Sequence, residues 1–155
     1  MSQVLHFYGE PTEHTPFDPP HVGLEDVGIG TADGGIWLAG ISDDMVGLAE
    51  PEETISPLRD GNPIIALSHS PAVFPDIDSR AVLTLAGHTH GGQASFPLIG
   101  ALYLPGRSPL RYAYGHIREN GKDMYVTAGV GNSILPIRFN MPPEIALITV
   151  VSSDR

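Results

Sequence analysis

An apolar run, Leu83-Thr84-Leu85-Ala86, leads straight into Gly87-His88-Thr89-His90-Gly91-Gly92-Gln93. This places two imidazoles, two residues apart, in a glycine-flanked turn at a strand end, where they can face one ion or two neighbouring ions. The same context recurs upstream, where Ile64-Ile65-Ala66-Leu67 runs into Ser68-His69-Ser70-Pro71. Both runs are near-continuously hydrophobic, which predicts strands buried on both faces. Two such strands that each deliver histidine at the C-terminal end point to a metal-dependent hydrolase site. A hydrolytic two-metal site also needs carboxylates, and none stands in an equally diagnostic setting.

The rest of the chain favours short strands and turns. Gly 18 and Pro 15 make up about a fifth of the 155 residues, too many for long helices. Val22 to Gly30 and Ile36 to Ile41 flank Thr31-Ala32-Asp33-Gly34-Gly35 and read as a hairpin. Glu50 to Arg59 is the best helix candidate, with Pro51 suited to its first turn and Pro57 limiting its length. Pro63 to Ser68 and Ala81 to Ala86 are the two apolar strands. Phe96 to Arg107 is broken by glycine and proline. Arg111 to Arg118 and Asp123 to Ala128 flank Asn120-Gly121, a strong hairpin signal. Pro142-Pro143 precedes a β-branched stretch, Glu144 to Val151, which reads as a last strand. No repeat and no composition break divides the chain, so residues 1–155 are expected to form a single, mostly β domain. Residues 1–20 read as a loosely ordered lead-in carrying His6, Glu13 and His14 without a periodicity that would bring them together.

Charge and composition exclude several function classes. A net charge of -10 with only 8 Lys and Arg argues against binding a nucleic-acid duplex, which needs clustered basic residues. An anionic substrate would have to be held locally, by metal ions or single arginines. The absence of cysteine excludes disulfides, thiolate zinc sites and cysteine nucleophiles. No segment reads as a signal peptide or transmembrane helix, which leaves a cytoplasmic or membrane-peripheral location open.

A neutral imidazole is a good ligand for Zn, Fe or Mn. Two ions about 3.5–4 Å apart can activate a water and clamp a phosphate ester. His69, His88 and His90 suit the nitrogen side of such a site. Asp43-Asp44, after the strand ending at Ile41, is the only acidic pair that closes a buried-looking strand, and it reads either as a neighbour of the site or as a solvated turn. Arg138 is a candidate for phosphate or for an ion pair with Glu144. Gln93 and Asn132 are candidates for orienting ligands or for stabilising their own turns. His116, Trp37 and the Tyr103, Tyr112 and Tyr114 group read as packing or surface residues.

Taken together, the Gly-His-Thr-His turn, Leu67-Ser68-His69-Ser70-Pro71, Val130-Gly131-Asn132-Ser133, Pro136-Ile137-Arg138-Phe139 and Pro142-Pro143-Glu144-Ile145 resemble the calcineurin-like metallophosphoesterases. The nearest likeness is to the bacterial branch with phosphodiesterase and UDP-diacylglucosamine pyrophosphatase-like enzymes. The resemblance runs from about Val22 to the C-terminus. It implies an α/β fold, a β-sandwich flanked by helices. It also implies two divalent ions (Mn, Fe, Zn or Mg) and hydrolysis of a phosphomonoester, phosphodiester or pyrophosphate, in a small-molecule or lipid-linked substrate. By the same resemblance, His69 and His88 would bind the second ion and His90 the first.

The family's Asp-x-His, Gly-Asp-x-x-Asp and Gly-Asn-His motifs do not occur here. With them go the bridging carboxylate that offsets repulsion between two dications and the family's catalytic histidine. The chain therefore reads as the C-terminal part of such a domain and is expected to carry one ion or none by itself. The other reading is a catalytically inactive remnant, or a metal-binding or partner-docking module. Either way, its apolar strands predict self-association or docking of a missing N-terminal half.

Overall fold

The computed structural model describes residues 27–31, 34–133 and 135–151. The predicted lead-in, with His6, Glu13 and His14, lies outside the described residues, as does the start of the first predicted strand.

One mixed sheet organises the molecule, with strand order β1-β2-β3-β4-β8-β7. β1 (Val27–Thr31) and β2 (Gly34–Ile41) form the antiparallel hairpin expected from the glycine-rich turn. β2, β3 (Ile64–Ser68), β4 (Ala81–Ala86) and β8 (Lys122–Val126) then run parallel. β7 (Gly115–Glu119) returns antiparallel to β8 around Asn120-Gly121, with φ of 54° and 77° as such a turn demands. A separate ribbon pairs β5 (Ser95–Phe96) with β6 (Gly100–Ala101). The single α-helix among the described residues, α1 (Pro51–Ile55), is shorter than the predicted Glu50 to Arg59 and has Pro51 in its first turn. The chain is thus mostly β with a few helical turns, which is compatible with the α/β class.

Apolar burial is complete on one face and partial on the other, so the expectation that β3 and β4 are covered on both faces holds at Ile65, which is buried, and fails at Leu67. The register aligns Ala39, Ala66, Thr84 and Met124 across four strands, and all four are buried. Ile55 of α1, Val73 of the 3-10 turn Pro71–Asp76, and Leu58 and Ile77 just beyond these elements join Ala39 and Ala66 in one cluster. Phe74 and Tyr112 pack edge-to-face against the β8 side. The opposite face carries the row Gly40, Leu67, Leu85 and Tyr125, in which Leu67 is 38% exposed. Val82 of β4 is also exposed.

Lys122 shows how a charge sits in this core. Its ammonium group donates to the carbonyls of Phe74, Pro75 and Ile77 at 3.0, 2.8 and 2.7 Å, satisfying the end of the 3-10 turn.

The predicted last strand does not form. Residues 144–151 pair with no described strand, and Ile145, Leu147 and Val151 are exposed. The alternation is strand-like, but this segment lies beside Leu85, Ala86 and Tyr125 of the sheet, with Ile145, Ala146 and Ile148 lining a shared cavity, and does not run along a strand edge.

Candidate metal-ligand site

The candidate residues gather where the sequence motifs placed them, at the C-terminal ends of the parallel strands. Ile41, Ser68, Ala86 and Val126 lie level with one another across β2, β3, β4 and β8. Asp43-Asp44 follow the first, His69 the second, His88 and His90 the third, and the Thr127–Ser133 loop the fourth. In open α/β sheets this edge is where ligands bind, because the loops there are free to carry function.

His69 and His88 meet directly. Their ring centroids are 4.5 Å apart at an interplanar angle of 53°. The Gly87 amide donates to the His69 carbonyl at 3.2 Å and so ties the two strand ends together. Burial holds the His88 ring below the usual imidazole pKa, and neighbouring His69 pushes it the same way, while Asp43 and Asp44 oppose the shift. Burial also lowers His90, followed by the charge of Arg138, against a backbone hydrogen bond to Gly131 that favours protonation. Both rings are thereby biased to the neutral form, which is the metal-binding one.

The turn itself is strained. His88, His90, Gly91, Gly92 and Gln93 have φ of 66°, 50°, 63°, 75° and 53°. Non-glycine residues adopt such values rarely, and each costs about 1–3 kcal/mol. Thr89 anchors the turn. It is fully buried, its hydroxyl donates to the Ala113 carbonyl at 2.7 Å, and the same oxygen accepts from the Gly91 amide at 3.3 Å.

The 128–142 loop staples the turn from the other side. Gln93 spends its whole amide on that loop: Nε2 donates to the Leu135 and Ile137 carbonyls at 3.1 Å each, and Oε1 accepts from the Ser133 amide. The Phe139 amide donates to the Gln93 carbonyl, and the Ser95 amide to the Phe139 carbonyl. Arg138 bonds to backbone, reaching the carbonyls of Ala128, Gly129, Gly131, Met141 and Pro142. The Glu144 carboxylate instead accepts from the hydroxyls of Tyr114, Tyr125 and Thr127. No Arg138–Glu144 ion pair is present among the described residues. Asn132 is exposed, and no side-chain hydrogen bond involves it among the described residues. His116 pairs with Asp123 at 2.7 Å on the outer strand, far along the sheet from the histidine turn in register.

On the Asp43–Asp44 side the bonding is incomplete. Asp43 caps the short turn Asp44–Val46 by accepting from the Met45 amide at 2.9 Å. Asp44 Oδ1 and His88 Nε2 are buried with no hydrogen-bond partner among the described residues. Buried polar atoms are nearly always satisfied, so a carboxylate oxygen and an imidazole nitrogen left without partners fit a cation's donors. No three His, Asp or Glu side chains converge on one point among the described residues. The residues present therefore fit a share of an ion's donors and do not close a coordination shell. Gly106 is a further contributor, and nothing in the sequence marks it. A Cβ there would stand 3.5 Å from His88 Nε2 and 2.5 Å from Met45 Sδ, and the φ of 70° favours glycine, so a side chain at this position would be strained and would push Met45 aside.

Comparison with known proteins agrees with the motifs. The chain is 36% identical over 128 residues to the uncharacterized metallophosphoesterase YkuE of Bacillus subtilis (strain 168), covering 81% of this chain and 44% of that protein. It is 34% identical over 122 residues to phosphodiesterase YaeI of Escherichia coli (strain K12), covering 74% and 41%. An uncharacterized metallophosphoesterase of Aquifex aeolicus (strain VF5) is 30% identical over 92 residues, covering 56% and 32%. Over this region the chain belongs to the calcineurin-like metallophosphoesterases. It spans less than half the length of the curated relatives it matches. No family model and no solved structure matches it. Among the described residues, no helix is long and apolar enough to cross a membrane.

Proposed function

We propose that this chain supplies the histidine side of a metal-dependent phosphoesterase site, acting on a phosphomonoester, phosphodiester or pyrophosphate. The observation that carries the reading is the His69–His88 pair at adjacent parallel strand ends, with His88 Nε2 and Asp44 Oδ1 buried and unpartnered beside it. His69 and His88 would hold one divalent ion with Asp44 alongside, and His90 would serve a second. When bound, such ions polarise a phosphoryl oxygen and lower the pKa of a coordinated water.

The chain's own residues have simpler tasks. Burial biases the His88 and His90 rings towards the neutral form, which can donate a lone pair. Thr89 and Gln93 fix the turn that aims them. The remaining donors come from a polypeptide region beyond the described residues. The exposed Leu67, in the row Gly40, Leu67, Leu85 and Tyr125, supports packing of such a region beside residues 144–148, as part of a second layer of a sandwich.

A second reading, a metal-binding or docking module without turnover, is favoured by one observation, the absence of a three-donor cluster among the described residues. Hydrolysis of bis-p-nitrophenyl phosphate by the purified chain with added Mn, Zn or Fe separates the two. Turnover that disappears in His88→Ala supports an active site assembled with a partner or a second protomer. Metal uptake without turnover supports the module.

A further inference from the structure

We propose that the β5–β6 ribbon is a docking surface for an anionic lipid bilayer, entering it with an apolar tip. The ribbon follows directly on the histidine turn. Phe96, Leu98, Ile99, Leu102 and Tyr103 are all exposed. Leu98 is fully exposed, and Ile99, Leu102 and Tyr103 are 71%, 61% and 68% exposed. The tip is the turn Phe96-Pro97-Leu98-Ile99, closed by the Ile99 amide on the Phe96 carbonyl at 3.2 Å. Leu98 has a φ of 69° at the turn position that prefers Gly or Asn. A large apolar side chain thus stands in water on strained backbone, and neither feature stabilises the fold. The base of the ribbon is fixed, so the tip is presented in one place. The Ser95 amide donates to the Phe139 carbonyl, the Phe96 and Phe139 rings lie 5.4 Å apart, and Ala101 packs on Gly92.

Local charge identifies the class of partner. The net charge of the chain is -10, yet no Asp or Glu occurs between Asp78 and Glu119. That stretch holds Arg80, Arg107, Arg111 and Arg118, half of the chain's 8 Lys and Arg. Arg80 pairs with Asp78 and Arg118 with Asp123, which leaves Arg107 and Arg111 for the ribbon. Arg107 is exposed and makes no hydrogen bond or ion pair among the described residues. Arg111 lines one cavity with Ile99 and Ala101, and its contact with Glu119 is long at 3.4 Å. Leucine and isoleucine at a tip, a tyrosine behind them and arginine at the flank make an interfacial anchor. The aliphatic groups enter the acyl boundary, the phenol sits among the headgroups, and the guanidinium meets lipid phosphate. The acidic remainder of the chain is repelled by such a surface, so binding is confined to the ribbon and is sensitive to salt.

The test is flotation of the metal-free full chain with vesicles of phosphatidylcholine and phosphatidylglycerol in equal parts, against vesicles of phosphatidylcholine alone. The variants are Arg107→Gln and a tip variant combining Leu98→Asn with Ile99→Ser. Asparagine suits a φ of 69° and both tip side chains are exposed, so the fold should survive, which a thermal melt checks. The wild type is expected to float with the mixed vesicles. Its affinity should fall about tenfold or more in the tip variant, and about threefold in Arg107→Gln. Added salt should weaken it as well. A wild type that stays with neither vesicle overturns the proposal, as does equal flotation on both kinds or by the folded tip variant. Self-association that the tip variant abolishes, without flotation, also overturns it and makes the ribbon a protein interface. No metal enters the measurement, so the phosphoesterase reading stands or falls separately.

Discussion

The two sides of the histidine turn differ in how completely their polar groups are met. On the 128–142 side, Gln93, Arg138 and Glu144 each place several donors or acceptors on defined partners, across sequence gaps of up to 44 residues. On the Asp43–Asp44 side, one carboxylate oxygen and one imidazole nitrogen are buried with no partner. A fold that leaves buried polar atoms unpaired forgoes stability there. The contrast teaches that the first side is scaffold, already complete, and that the second faces something the described residues do not contain. Substitutions on the two sides should therefore differ in sign as well as in size.

The scaffold side should lose most. Arg138→Gln strips donors from the carbonyls of residues 128–131, and chemical denaturation should show a loss of about 3 kcal/mol. A loss below about 0.5 kcal/mol would mean that the carbonyls find water instead and that the staple is cosmetic.

Gly92→Ala attacks the same side through the backbone. Its φ is 75°, and a Cβ would stand 2.5 Å from Ala101 Cβ and 3.1 Å from the Tyr103 carbonyl. A cost of about 2 kcal/mol is expected, with the β5–β6 ribbon displaced in amide NMR shifts.

Glu144 sharpens the comparison through pH. The Tyr114 hydroxyl holds its carboxyl below the usual range, and the same bond pushes Tyr114 up to about 12. A lowered carboxyl stabilises the fold above its unfolded value and loses that contribution as pH falls through the folded value. A raised phenol stabilises below its unfolded value and loses that contribution as pH climbs towards about 12. The wild type should therefore exceed Glu144→Gln by about 1 kcal/mol near neutrality. The gap should shrink below the ordinary carboxyl value of 4.5 and again above the ordinary phenol value of 10.0. A pH-independent gap would contradict the assignment.

The smallest effect, with the opposite sign, belongs to the open side. Asp44→Ala removes a buried oxygen that has no partner. Thermal melts without metal should show no loss, or a gain of about 0.5 kcal/mol. A clear destabilisation would place Asp44 among the scaffold residues.

These two sides were also unequally legible in sequence. The open side announces itself locally: two apolar runs end in histidine, and an acidic pair follows a third strand. The fold brings these together because the strands run parallel and level. The Asn120-Gly121 hairpin and Pro51 at a helix start are equally local signals. The staples are long-range and carry no such mark. Nothing near Arg138 says that its partners are the backbone of residues 128–131, nor near Gln93 that its amide spans to Ile137. Glu144 reads as the start of a strand, because alternation reports which faces are apolar and is silent on whether the segment bonds to another strand. Burial on both faces of β3 and β4 was inferred from hydrophobicity alone. A sheet that buries Ile65 on the second face yet leaves Leu67 and Val82 exposed has the same composition.

Equilibrium dialysis of the purified chain against Zn and Mn, comparing wild type with His88→Ala and Arg138→Lys, tests the central claim most directly. About one ion per wild-type chain is expected, with affinity reduced about tenfold or more in His88→Ala and a smaller reduction in Arg138→Lys. Equal binding by wild type and His88→Ala would contradict it, since the unpartnered nitrogen would then have no part in holding a cation.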